Sequence, residues 1–491
     1  MIVDAVPRRL SPLRRVVALA CAYPRVTLVF ALGLVLRAVL LPITFGPDFH
    51  IWDLTAAATL HGQDVYAHPP LDLARYGPYA YFPLYLYLLL PLKWLALHSG
   101  LSYVALGKLP VVAGDVGVAL GLASALRRAG RDERACATGV ALYFLNPLVL
   151  YNGAFYGRFD SLPLALLLLA WNRLSPGAGG RSGRLALPFS LAVALKTFPI
   201  FLLPYLIARL GRRRGGRLAL AAVLTPLVIA LPYLLHDARR FLYIVFVYDS
   251  TKGPRQFSWQ VILLNLGLSE RAATVVSYGL LALFALAIVL PVALRFVKSL
   301  SLLAPPAHGD WPLPTPWGPR STRGPTVQRA SGGAWGDASP QSPANHDAWG
   351  STGMAIPNDA QAPTISLKGQ GRMPRLLSPT ARERRAEGVT ALADPYVYAA
   401  VVFTLFLLLS KVVYEQYLLW PLPFLAVLAV RDRARDAVGL LVTLSVIGLS
   451  ANQWIHPFGY DPYPAPWLNA VIAVAAALFV VGRVTHSCYC D

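Results

Sequence analysis

An aspartate just past the end of an apolar run is the residue of this chain best placed to do chemistry. Asp48 stands in FGPDFHIWDL, beyond an apolar stretch that runs from about Arg25 to Thr44. A carboxylate at a water–lipid boundary can take a proton from an incoming hydroxyl, and general base catalysis contributes about 10²–10⁴ in rate. The same position suits a residue that caps a surface helix, and spacing alone leaves both roles open. Further ionisable residues fall at the ends of later apolar runs. They are Asp53 in DFHIWDL, Arg158 and Asp160 in YNGAFYGRFD, Arg239, Arg240, Lys252 and Arg255 in the stretch from His236 to Gln260, Lys411 and Glu415 in KVVYEQ together with the polar Gln416, and His456 and Asp461. Lys196, in LKTFP, sits inside an apolar run. Ionisable groups at or within a bilayer are costly unless paired or functional. Guanidinium forks match phosphate oxygens, so the arginines suit a phosphate head group. Against that, Lys411 and Glu415 have the spacing of a helical ion pair, and the His-Pro at His456 is also a turn dipeptide.

The elements that must position these residues are set by hydropathy. Of 491 residues 56% are hydrophobic and 14% charged, and the mean hydropathy is +0.51. This is the composition of a polytopic membrane protein, in which apolar runs of about 20 residues cross the hydrocarbon core. The formal net charge of +20 lies mostly in short clusters between apolar runs, where the positive-inside rule accounts for it, and no nucleic-acid module is present. Arg8 to Arg15, RRAGRDER from Arg127, RLGRRRGGR and RDRAR mark the cytoplasmic side. The N-terminal apolar run lacks a cleavage site and reads as a retained anchor. Four cysteines, Cys21, Cys136, Cys488 and Cys490, fall near cytoplasmic ends, so no disulfide framework is expected.

The expected fold is all-α, a polytopic bundle of about ten transmembrane helices with both termini cytoplasmic. Residues 1–303 form an N-terminal transmembrane module whose first exterior loop spans 45–103. Within that loop Tyr79 to Leu97 is broken by Pro83 and Pro91 and rich in tyrosine, an interfacial residue, so it is expected to lie in the interface. Leu185 to Leu210 is basic at both ends and broken at Lys196 and Pro199, which predicts a re-entrant segment. Leu218 to Leu235 and Ala272 to Val297 are expected to cross. Residues 304–393 change to Pro, Gly, Ser and Asn with no periodic apolar face and are expected to be a disordered cytoplasmic insertion. Residues 394–491 hold the last spans, Tyr396 to Leu409, Gln416 to Val430, Ala437 to Ser450 and Trp467 to Val481.

No dinucleotide fingerprint, Walker loop, zinc-protease motif or nucleophile elbow occurs in a credible context. The segments DFHIWDL, HGQDVY, YGPYAYFPLYLYLL, NPLVLYNGAFYGRFDSLP, LKTFPIFLLP and KVVYEQYLLWPLPF resemble integral-membrane glycosyltransferases of the GT-C fold, in their polyprenyl-phosphate-sugar-dependent, mannosyltransferase-like branch. The resemblance implies that an acid of the first exterior loop, here Asp48, activates an acceptor hydroxyl. It also implies a lipid-phosphate sugar donor and inversion at the anomeric carbon. Asp160 matches the family's second exterior acid, with Arg158 where glutamine is frequent. Asp53 is not adjacent to Asp48, so the paired acids of some members are absent and a divalent metal is not supported; no cofactor is expected.

The function expected on this reading is transfer of a hexose, mannose foremost, from a polyprenyl-phosphate donor to a lipid, glycan or protein acceptor on the non-cytoplasmic face. Membrane lipid is the other partner. Asp48 is the expected catalytic residue, and Asp53, Arg158, Asp160, Lys196, Arg239, Arg255, Lys411, Glu415 and Gln416 are the expected substrate-binding residues. The membrane would be the plasma membrane in a prokaryote and the endoplasmic reticulum in a eukaryote. Two rivals remain: a lipid or sugar transporter or flippase, for which the broken segment at Lys196 argues, and a non-catalytic subunit that organises partners through residues 304–393.

Overall fold

The computed structural model describes residues 22–69, 77–174, 183–248, 255–256, 259–301, 394–410, 412–455 and 466–488. These fall in one unit made of Met1–Leu303 and Ala381–Asp491. Residues 304–393, expected to form an insertion, lie outside the described residues, as do Lys411, His456 and Asp461.

The described chain is helical apart from one two-residue parallel pairing, Arg255–Gln256 with Val412–Val413. Proline starts many of the helices. Its fixed φ suits the first turn, where its missing N–H leaves no bond unmade. α1 (Pro24–Leu40) and α2 (Pro47–Leu60) both begin this way. α3 (Leu84–Ser99) continues through Pro91 and ends at Gly100 in the left-handed conformation, so the stretch expected to lie irregularly in the interface is largely one helix. α4 (Leu109–Arg128) is followed by α5 (Glu133–Phe144), whose N-cap Asp132 accepts from Ala135 N–H. The turn Pro147–Leu150 then leads into a π-helical turn, Tyr151–Phe155.

α6 (Ser161–Trp171) packs between α4 and α7 (Gly183–Leu195). Small residues permit the close approach to α4: a Cβ at Gly114 would lie 2.6 Å from the backbone N of Leu162, and one at Gly117 2.7 Å from the Ala165 methyl. Such contacts are the usual device of helix pairs in lipid, where dispersion replaces the hydrophobic effect. α7 ends at Leu195, short of Pro199. A 3₁₀ turn, Phe198–Leu202, follows before α8 (Leu203–Ile229), which is itself kinked at Gly211 with φ +77°, so Lys196 falls in the break. Leu218 to Leu235 is not one straight run. The chain bends by 91° after Ile229 into α9 (Leu231–Leu242) and the turn that follows it, with Pro226 and Pro232 flanking the bend.

α10 (Trp259–Asn265), α11 (Glu270–Ser301) and α12 (Pro395–Leu409) follow. The expected span Gln416 to Val430 is instead a 3₁₀ turn, Glu415–Leu419, and α13 (Leu422–Arg431), separated at Pro421. α14 (Arg435–Ile455) and α15 (Pro466–Cys488) complete the described helices. Among the described residues two helices, Tyr103–Arg128 and Glu270–Ile288, are long and apolar enough to cross a bilayer, or up to four if each of two bent pairs is a single span. Shorter apolar helices include Leu84–Ser99, Ser161–Trp171 and Pro395–Leu409. Outward-facing Leu28, Val35, Val228 and Leu283 are more than half exposed, as lipid-facing positions of a membrane protein would be.

Two apolar cores result. The larger joins α4, α5, α6, α7, α12, α13 and α14 around residues such as Phe144, Leu167, Phe403 and Phe424. The smaller is aromatic and holds the 45–103 region: Phe49, Trp52, Tyr66, Tyr79, Tyr85 and Phe159 are all buried in it. Phe159 stacks on Tyr85 at 3.9 Å and meets Trp52 at 5.1 Å. The residue between Arg158 and Asp160 is thus the anchor that fixes α2 and α3 over the site.

Candidate active site

Asp48 occupies the first turn of α2, where the partial positive charge of the helix start favours a carboxylate. The N-cap itself is Gly46, and no side chain makes a capping hydrogen bond there. Instead Asp48 Oδ2 accepts from Arg158 Nε at 3.0 Å. Arg158 also donates through Nη1 to Glu415 Oε1 and, at 3.0 Å, to Asn152 Oδ1, and its guanidinium lies 4.9 Å from the Tyr156 ring centroid. One guanidinium therefore ties together three segments that are remote in sequence. Burial would lower the Arg158 pKa; Glu415 and then Asp48 more than offset this and raise it above the ordinary arginine value.

A second cation–carboxylate pair lies alongside. Lys196 Nζ donates to Asp160 Oδ1 at 2.7 Å, and the same oxygen accepts from the Trp420 indole N–H at 2.7 Å. Four rings, of Tyr81, Phe159, Tyr417 and Trp420, surround the ammonium at 5.5–5.8 Å, a distance at which ring quadrupoles attract a cation. Trp420 is held in turn by stacking on Phe198 at 4.1 Å, so the 3₁₀ turn after Lys196 and the one that begins at Glu415 support each other. Gln416 is buried, and its Oε1 has no hydrogen-bond partner among the described residues. Together the two groups hold three carboxylates against two cations.

Of the expected site residues, the structure brings together Asp48, Arg158, Glu415, Asp160 and Lys196, with Gln416 next to Glu415. Asp53 is elsewhere: it pairs with Lys93 of α3 at 2.5 Å and so ties α2 to α3. Arg239 is exposed on α9 and enters none of the ion pairs described. The backbone of Arg255 pairs with that of Val412, three residues before Glu415; its side chain lies outside the described residues, as does all of Lys411. Val412 and Val413 are extended, and the expected Lys411–Glu415 pair lies outside the described residues.

Three buried charges were missed. Lys108 has no exposed surface and donates to the carbonyls of Leu41, Thr44, Ala154 and Phe155. The first two lead into Asp48 and the last two into Arg158, so this ammonium clamps both approaches. Gly46 N–H donates to the Tyr156 carbonyl at 2.9 Å in the same place, and a Cβ at Gly46 would strike the Tyr156 ring at 2.2 Å. Gly157, with φ +88°, packs against Phe49 so closely that a Cβ would come within 2.8 Å. Arg37 and Asp115, both fully buried, pair at 2.8 Å between α1 and α4, and Arg37 also donates to the carbonyls of Gly33 and Phe144. A lone ionisable residue inside or at the mouth of an apolar run was the available signal for all three. No group of three or more His, Cys, Asp or Glu side chains placed to hold a metal ion occurs among the described residues.

An apolar helical protein with a buried carboxylate–cation cluster under an aromatic lid is a membrane protein equipped for polar chemistry. Residues 79–305, just under half of the chain, match the family model of glycosyltransferase family 87. The match supports a glycosyltransferase and is consistent with the GT-C type. It contains Arg158, Asp160 and Lys196, while Asp48 and Glu415 lie on either side of it. A search of curated proteins found no match.

Proposed function

We propose that the protein transfers a hexose, mannose being the expected sugar, from a polyprenyl-phosphate donor to an acceptor hydroxyl on the non-cytoplasmic face, with inversion. The observation that carries this reading is the Asp48–Arg158–Glu415 group beside Lys196–Asp160, in a chain whose family match is to glycosyltransferases. Arg158 holds Oδ2 of Asp48, which leaves Oδ1 to take the proton. The acceptor oxygen attacks the anomeric carbon as the bond from that carbon to the phosphate oxygen breaks. The bonding pair leaves with the lipid phosphate, and the acceptor proton passes to Asp48.

Charge develops on the departing phosphate, and cations fixed in advance stabilise it at little reorganisation cost. Arg158 and Lys196 are the candidates within the cluster, and Arg255 and Lys411 are further candidates from the same part of the chain. Tyr81, half-buried with its ring centroid 5.7 Å from the Lys196 ammonium, is the ring placed to meet a sugar face. The decisive experiment is transfer from a labelled polyprenyl-phosphate sugar by purified wild-type protein and by Asp48→Asn. Loss of transfer in a folded variant is expected, and transfer at the wild-type rate would remove Asp48 from the mechanism. The break at Lys196 also suits a transporter; counterflow of donor lipid in sealed vesicles with no covalent product would favour that reading instead.

A further inference from the structure

A cleft of about 1230 Å³ lies apart from the cluster just described, between the end of α2, the loop that follows it, α3 and α9. An open cleft of that volume has room for more than a single sugar ring. The geometry points to a subsite for the uncharged oligosaccharide part of the acceptor, an inference that rests on the transferase reading above.

The lining carries the argument. Asp64 Oδ1 accepts from the N–H groups of Tyr66 and Ala67 at 2.9 and 3.0 Å. Its Oδ2 pairs with His236 Nδ1 at 2.6 Å. Arg240 is exposed at the same cleft, and Asp237 fixes its backbone by accepting from its N–H at 2.9 Å. Gln63 adds an amide, while Tyr87 and Tyr233 contribute rings nearly parallel to each other. Polar groups of both hydrogen-bonding senses beside flat aromatic surfaces are what a polyhydroxylated ligand requires. An anion is disfavoured, because it would have to approach the Asp64 carboxylate.

Placement agrees with chemistry. The chain turns by 91° after Ile229, and α9 then exposes Leu231 and Leu235 while burying Tyr233 and Phe241. The first part of α9, before the non-helical Asp237, thus presents apolar side chains outward, as a segment at a bilayer surface does, where the glycan of a membrane-bound acceptor would be. The cleft also shares a wall with the reaction site. Tyr233 packs on Tyr66 at 4.6 Å, the Tyr66 hydroxyl donates to the Tyr81 carbonyl at 2.7 Å, and the Tyr81 ring lies 5.7 Å from the Lys196 ammonium.

The test is saturation-transfer NMR on the full chain in lipid nanodiscs with mannotriose and maltotriose as probes. At least one trisaccharide is expected to bind, and excess inorganic phosphate should not displace it. Arg240→Ala and His236→Ala, both at exposed positions, should each weaken binding about tenfold, the loss of a hydrogen bond to a charged group, without moving the melting temperature. Failure of both trisaccharides to bind overturns the inference, as does displacement by phosphate or unchanged affinity in both variants. Asp48→Asn separates the two readings. Should it transfer sugar at the wild-type rate while the trisaccharide binds, only the mechanism falls; should it abolish transfer while no trisaccharide binds, only the subsite falls.

Discussion

Arg158 and Lys108 are both buried cations beside the same two strands of backbone, yet they are satisfied in opposite ways. Lys108 is surrounded by four backbone carbonyls. Carbonyls of a folded backbone cannot move away without breaking the fold, so this charge is structural. Arg158 is met by the side chains of Asp48, Asn152 and Glu415, which can turn on their rotatable bonds and exchange one partner for another. A charge neutralised by side chains can hand itself to a substrate phosphate; a charge neutralised by backbone holds the ground on which that exchange occurs. Arg37–Asp115 belongs with Lys108: fully buried and tied to two carbonyls, it locks α1, α4 and the end of α5.

Mutation can break this division at either end. The largest effect is expected from Asp48→Asn, which should lower transfer by about 10²–10⁴ while the melting temperature in detergent stays close to wild type. A large drop in melting temperature would place Asp48 among the structural charges. Next, Arg37→Met leaves Asp115 buried and unpaired, a change that typically costs about 3–5 kcal/mol. Denaturant unfolding of the detergent-solubilised protein measures it, and a stable Arg37→Met protein with lost transfer would move this pair to the catalytic side. Lys108→Met strips four carbonyls of their donor and should cost about 1–3 kcal/mol of stability, whereas Lys108→Arg should recover part of it. The smallest effect is that of Trp420→Phe, which deletes one hydrogen bond to Asp160 and retains the stack on Phe198. It should cost about 0.5–1.5 kcal/mol, read as a comparable rise in the barrier from kcat/KM, with little change in unfolding.

Much of the site was legible in the residues and little of its wiring was. Asp48, Arg158, Asp160, Lys196 and Glu415 all stand out as charges at the ends or breaks of apolar runs, and the break at Lys196 follows from Pro199. Spacing offered only Lys411, which lies outside the described residues, as a partner of Glu415; it gave no sign that Arg158, 257 positions away, also donates to that carboxylate. Asp53 looked like a further acid of the site because it is near Asp48 in sequence; about 1.4 helical turns separate them on α2, and Asp53 instead meets Lys93 on α3. The indole N–H of Trp420 on Asp160 had no sequence signal at all, since tryptophan near a membrane surface is ordinarily an interfacial anchor.

Apolar runs, proline breaks and stranded charges are local properties, because the cost of leaving a peptide group or an ion in hydrocarbon is borne by each segment alone. Those properties made the chain a helical membrane protein and marked which of its charges needed an explanation. Which charge meets which is another matter. A hydrogen bond of about 3 Å between residues 48 and 158, or 158 and 415, exists only after α2, α6 and the turn at Glu415 have packed around Phe159. Helix packing therefore decided that Arg158 is met by side chains and Lys108 by backbone carbonyls.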